Sequence, residues 1–348
     1  MRRAKLKWIG YAVGAGMGLA LSACAPVSTS PPAAPLAERV WPTPPSAARI
    51  AYVQDIAQPR DLGITPGFFR RLGDFLVGAE ELHLVRPMAV VTGADAALYV
   101  ADPGAKAVFR FDVARQRTDV IRRAEGQALP SPVGLARGPQ GEIYVADSVL
   151  RGVFVIEPKG RVAQPLMLKA DLQQPSGLAC DPVTGTLYVV DTGAHQIRIF
   201  NHDGELLSSF GRRGAGDGEF NFPTLIWRDG QGKLYVTDAL NFRIQMFDAA
   251  GKFLGKFGEH GDATGHQSRP KGVATDRDHH VYVVDSLFHA IQIFDTAGAF
   301  LLNVGSQGRA PGEFWLPTGI YIDNGETIYV ADSHNQRLQV FRYLGGQP

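Results

Sequence analysis

The sequence predicts an all-β fold in which six four-stranded antiparallel sheets close into a ring, and three observations carry that prediction. One short run is written six times: Leu98-Tyr-Val-Ala-Asp102, Ile143-Tyr-Val-Ala-Asp147, Leu187-Tyr-Val-Val-Asp191, Leu234-Tyr-Val-Thr-Asp238, Val281-Tyr-Val-Val-Asp285 and Ile328-Tyr-Val-Ala-Asp332. Its aspartates are separated by 45, 44, 47, 47 and 47 residues, a period long enough for one four-stranded sheet. Finally, the last copy stops one strand short at Phe341, while a spare strand-like run, Arg49 to Ile56, lies ahead of the first. Pairing that run into the sixth sheet closes a six-bladed β-propeller and covers its open edge.

The chain begins with a segment that reads as an address. Arg2, Arg3, Lys5 and Lys7 precede a Gly- and Ala-rich apolar run from Trp8 to Leu21. That run is short of the roughly 20 residues a membrane span needs, so residues 1–23 read as an export signal. Leu21-Ser-Ala-Cys24 resembles the lipobox of bacterial lipoproteins, which implies cleavage before Cys24 and acylation of that cysteine. Ala25 in place of aspartate implies, by the same resemblance, outer-membrane display facing the periplasm. Residues 24–47 hold seven prolines among Ser and Ala and read as an extended tether. The body is assigned to 48–348, with 48–56 as the closing strand and 57–86 as a helical cap and linker. Thr65-Pro66 supplies N-cap and N1, and Phe68, Phe69, Leu72, Phe75 and Leu76 recur at helical spacing.

Each repeat opens on a Pro-led run: Pro87-Met-Ala-Val-Val, Pro132-Val-Gly-Leu-Ala, Pro175-Ser-Gly-Leu-Ala, Pro223-Thr-Leu-Ile-Trp, Pro270-Lys-Gly-Val-Ala and Pro317-Thr-Gly-Ile-Tyr. The Tyr-Val-x-Asp run follows. An alternating run ending in an aromatic comes next, as in Ile244-Gln-Met-Phe247, and its period of two marks a strand. Gly160, Gly204, Gly251 and Gly298 are expected to close tight turns at positive φ before the fourth strand. The Tyr-Val-x-Asp run, continuations such as Asn241-Phe-Arg-Ile-Gln245 and the Phe-Gly loops together resemble NHL repeats. Repeats three to six carry the resemblance best; repeats one and two match mainly through their strands. The sequence has no Trp-Asp dipeptide and the repeats hold no double glycine, the marks of two other propeller classes.

Chemistry is harder to read. Formal net charge is +1, and an exported chain with no basic excess argues against nucleic acid as a partner. Asp102, Asp147, Asp191, Asp238, Asp285 and Asp332 could form a carboxylate ring for a cation. Each stands at a strand end, where it can instead accept backbone N–H groups, and they are assigned a structural role. His195 and His289 stand four residues after a repeat aspartate, where NHL repeats often carry histidine, and are read as repeat features. His279-His280 falls in a turn and is read as solvated. Cys180 has nothing in sequence to lower its pKa and reads as a small buried hydrophobe. The similar peptidyl-hydroxyglycine amidating lyase binds zinc in its channel, but its ligands match no positions here.

The remaining signal lies where long loops meet the Pro-led strands. Arg269 and Lys271 flank Pro270, and Phe222 and Trp315 add apolar surface, a set suited to an acidic peptide or glycan. The expectation is therefore a lipid-anchored, monomeric propeller without a cofactor, recognising an envelope protein, peptide or glycan through one face. The alternative is a metal-dependent lyase or hydrolase working in the channel.

Overall fold

A computed structural model describes residues 39–65 and 82–345. The export segment, Cys24 and the helix expected after Thr65 lie outside the described residues. Six antiparallel blades follow one another along the chain. Blade 4 is representative: Pro223–Arg228, Leu234–Asp238, Arg243–Phe247 and Phe253–Phe257 pair in that order from the central channel outward. Its second strand is buried at all five positions, whereas the outermost alternates between half-buried or buried and exposed. The difference follows from position. A middle strand has a neighbouring blade on both faces, so it is written as a continuous apolar run rather than an alternation.

Blade-to-blade contact explains the glycines at the third position of the Pro-led strands. A Cβ on Gly134 would lie 1.9 Å from the Ser176 carbonyl oxygen, and one on Gly319 would lie 2.2 Å from that of Met88. The inner strands approach too closely there for any side chain. Farther out, the gaps fill with aromatics. Between blades 3 and 4, Phe220 packs against Phe210 and Phe247 with ring centroids 6.2 and 5.6 Å apart. Phe314 meets Phe341 in the same way at 5.8 Å in blade 6.

Ring closure occurs as the sequence predicts. Ile50–Ile56 pairs antiparallel with Arg337–Tyr343, from Ile50 opposite Tyr343 to Ile56 opposite Leu338. Ile50 and Ile56 are fully buried, worth about 1.5–3 kcal/mol each relative to exposure. Arg337 Nη1 donates to Asp55 Oδ2 at 2.7 Å, fastening the added strand by its side chains too.

Three local features differ from expectation. Val40–Trp41 forms a fifth strand on this blade, inside the span read as tether, because the Trp41 ring seats edge-on against Phe341 at 5.7 Å. Blade 2 carries an extra hairpin, Arg123–Ala124 with Gln127–Ala128, and so has six strands. Its outer turn places Lys159, at φ 64°, in the left-handed region instead of Gly160, whereas Gly204, Gly251 and Gly298 take the positive φ expected of them.

Candidate functional site

The Pro-led strands of all six blades line a channel of about 650 Å³. Their second residues are Met88, Val133, Ser176, Thr224, Lys271 and Thr318. The hydroxyl-bearing members are spent on neighbouring backbone. Ser176 Oγ donates to the Thr224 carbonyl at 2.8 Å, and Thr224 Oγ1 donates to the Lys271 carbonyl at 3.3 Å. Lys271 is the one charged residue at this level, and its half-buried side chain lines the channel. Two residues earlier, Arg269 is exposed at the same mouth. Among the described residues neither cationic head has a hydrogen-bond or ion-pair partner. Burial, and then the Arg269 charge beside it, hold the Lys271 amine below the usual lysine value.

Phe222 joins this pair on the channel wall, 39% exposed, with its ring 4.6 Å edge-on from that of His195. Leu240 beside it is 46% exposed, so the mouth is both apolar and cationic. Trp315 is not part of the channel lining. Its ring lies 4.9 Å from the Arg309 guanidinium carbon and 6.1 Å from the His334 ring, while its backbone N–H donates to Asp332.

The six aspartates are fully buried and engaged by donors. Asp238 accepts from the Asn221 N–H at 2.7 Å, Asn241 Nδ2 and Arg243 Nε at 2.8 Å, and Gln245 Nε2 at 3.0 Å. Asp332 repeats the set with Trp315, Asn335, Arg337 and Gln339. Asp102, Asp147, Asp191 and Asp285 also take backbone N–H groups from the loop entering the inner strand. Each therefore ties that loop to the end of the second strand. Arg243 and Arg337 extend the tie, each spreading its guanidinium over three loop carbonyls, Ala215, Gly216 and Glu219 in one case and Arg309, Ala310 and Glu313 in the other.

The histidines divide similarly. His195 Nδ1 accepts the Phe222 N–H and His289 Nδ1 accepts the Leu316 N–H, both at 3.1 Å. Each stands at φ near +55°, and each fixes the last loop residue before the next blade. His280, expected to be solvated, instead pairs through Nδ1 with Asp276 Oδ2 at 2.8 Å, because the turn folds back on itself. No group of three or more His, Cys, Asp or Glu among the described residues is arranged to hold a metal ion. Cys180 lines the far half of the channel, and burial, then Glu142 and Asp181, push its thiol up to about 12.

That far half also holds groups that motif reading missed. Trp227 and Tyr321 meet edge to face at 5.9 Å, anchored by Trp227 Nε1 to Thr275 Oγ1 and by Tyr321 OH to Thr92 Oγ1, each at 2.9 Å. The signal was the fifth position of the Pro-led run, small or β-branched in four blades and aromatic in these two. Arg228 beside them is neutralised by Asp181 at 2.6 Å.

A family model described as the teneurin NHL domain matches residues 113–313, and one described as the NHL repeat matches residues 314–341. A gluconolactonase of Zymomonas mobilis is 30% identical over 129 residues, which cover 32% of this chain and 35% of that protein. The chain thus spans about a third of that curated relative. Among solved structures, an auxiliary nutrient binding protein from Bacteroides thetaiotaomicron superposes with a TM-score of 0.60 at 13% identity, covering 76% of this chain and 70% of that one. Virginiamycin B lyase from Staphylococcus aureus superposes with a TM-score of 0.55 at 16% identity, covering 76% and 99%. At those identities the likeness is one of fold.

Proposed function

Because the chain belongs to the NHL-repeat family of β-propellers, we propose that it is a binding protein of the cell envelope, lipid-anchored through Cys24, that takes an acidic peptide or glycan at the Arg269–Lys271 mouth. The observation that carries this reading is the pair of cationic side chains without a partner among the described residues at the rim of an open, largely apolar-walled channel. Unpaired charge at a concave, partly desolvated surface is where a carboxylate gains most from binding, since the interaction is less screened there than in bulk water. Phe222 and Leu240 supply apolar contact at the same rim. The rest of the polar machinery is spent on holding loops, which suits a rigid display surface.

The test is titration of the full chain with a labelled acidic peptide at low and moderate salt. An Arg269→Ala, Lys271→Ala double variant should lose binding by tenfold or more, consistent with about 1.4 kcal/mol or more from two charge contacts. A double variant that binds as tightly as the parent removes the reading. Anchoring is checked separately by fatty-acid labelling, which a Cys24→Ser substitution should abolish.

A further inference from the structure

We propose that Lys271 is a carbonyl-reactive amine, so that the channel captures small acids bearing an aldehyde or ketone as covalent imines. This deepens the reading of the mouth as an anion site and rests on it. Among the six second positions that ring the channel, Ser176 and Thr224 turn their hydroxyls to backbone of the next blade, and Met88 and Val133 are apolar. Thr318 likewise reaches the Pro87 and Ala331 carbonyls. Lys271 alone brings a nucleophilic atom to this level, on a wall rather than at a surface. No carboxylate among the described residues pairs with it, which separates it from Lys169 and Lys256, paired with Glu205 and Asp217.

Desolvation and a neighbouring second cation both favour the neutral, nucleophilic form of a lysine amine. Both conditions hold at Lys271. Arg269 at the same mouth would receive the carboxylate of the incoming acid. The neutral amine then attacks the carbonyl carbon to give a carbinolamine. Loss of water, carrying off the carbonyl oxygen and both amine hydrogens, leaves a C=N bond to Nζ. No oxidant or reductant enters that step, and hydrolysis reverses it. The channel volume of about 650 Å³ leaves room for such a ligand.

The experiment is reductive trapping of the full chain with glyoxylate and cyanoborohydride at pH 7, followed by peptide mass spectrometry. Lys271 should carry the carboxymethyl adduct at least about threefold more often than any other lysine, reflecting its larger neutral fraction. Lys271→Arg should remove that adduct, and oxalate, an anion without an aldehyde or ketone, should bind the parent chain. Labelling spread over all lysines according to exposure overturns the inference. If oxalate and acidic peptide bind but Lys271 stays unmodified, the reactive amine fails and the anion site stands. If propionaldehyde is trapped at Lys271 while no anion binds, the amine is upheld and the anion site fails.

Discussion

Replacing Gln267 by phenylalanine should stabilise the ring. Gln267 is fully buried, and neither its Nε2 nor its Oε1 has a partner in the described structure. It occupies the place that Phe220 and Phe314 take in the neighbouring repeats, 47 residues to either side, and all three form the same loop bridge, to His260, Arg213 and Gln307 respectively. The ring would fit. Gly211, Gly258 and Gly305 lie against these side chains at φ +92°, +95° and +95°, so the backbone leaves the same space in each repeat. Phe257 and Phe294, 5.0 Å apart, are the counterparts of the rings that flank Phe220.

The magnitude follows from three contributions. An unsatisfied buried polar group costs about 1–3 kcal/mol, and an aromatic pair adds about 0.5–1.5 kcal/mol beyond area. Imperfect repacking takes back about 1 kcal/mol. A net gain of about 2 kcal/mol is expected, and for a body of this size that raises Tm by roughly 3 °C. Scanning calorimetry of Gln267→Phe beside Phe314→Gln provides the check, the second variant losing at least as much as the first gains. A Gln267→Phe variant no more stable than the parent would refute the reasoning and show that the buried amide is satisfied in solution.

Other outcomes can be set beside this one. Arg110 is buried and holds Asp95, Asp112 and Asp119 at 2.7, 2.8 and 3.2 Å, so Arg110→Met should destabilise the chain by about 3–5 kcal/mol in urea unfolding, by leaving carboxylates uncompensated. Burial holds the His289 ring below the usual histidine pKa. Its unfolded form therefore takes up a proton first as pH falls, so this contribution is complete above about pH 6.5 and is lost as pH drops through the folded value. A His289→Gln variant should show a shallower decline of Tm between pH 7 and pH 5. With Cys24 replaced by serine, the Cys180 thiol, raised to about 12, should resist a disulfide reagent at pH 8 in the folded protein and react at once in denaturant.

The architecture was legible because the same physical demand recurs six times. A strand sandwiched between blades must be apolar on both faces, and Tyr-Val-x-Asp satisfies it wherever it falls. Lys271 and Arg269 could be placed at a mouth because proline marks where each inner strand starts. Trp315 was misjudged for a reason of direction. Its position at a loop end was legible, but its ring packs beside Arg309 and His334 rather than along the channel wall. The loop-holding arginines were legible only by comparison across repeats. Blade 5 has Ala290 where its neighbours have Arg243 and Arg337, yet Gln292 alone still grips Gly265 and His266. Val40–Trp41 escaped composition because one aromatic anchor outweighs the prolines around it.

The pairing of Ile50–Ile56 with Arg337–Tyr343 also sets a timetable. These two strands are separated by most of the described residues, so the first must wait until the sixth blade has been made before it finds its place. Until Tyr343 has emerged, Ile50–Ile56 lacks the blade 6 strand it pairs with in the finished ring. Contacts that close so large a loop are slow to form. A nascent chain of this kind is exposed longest at the edge on which its finished ring depends, and that edge is where a chaperone would have most to protect.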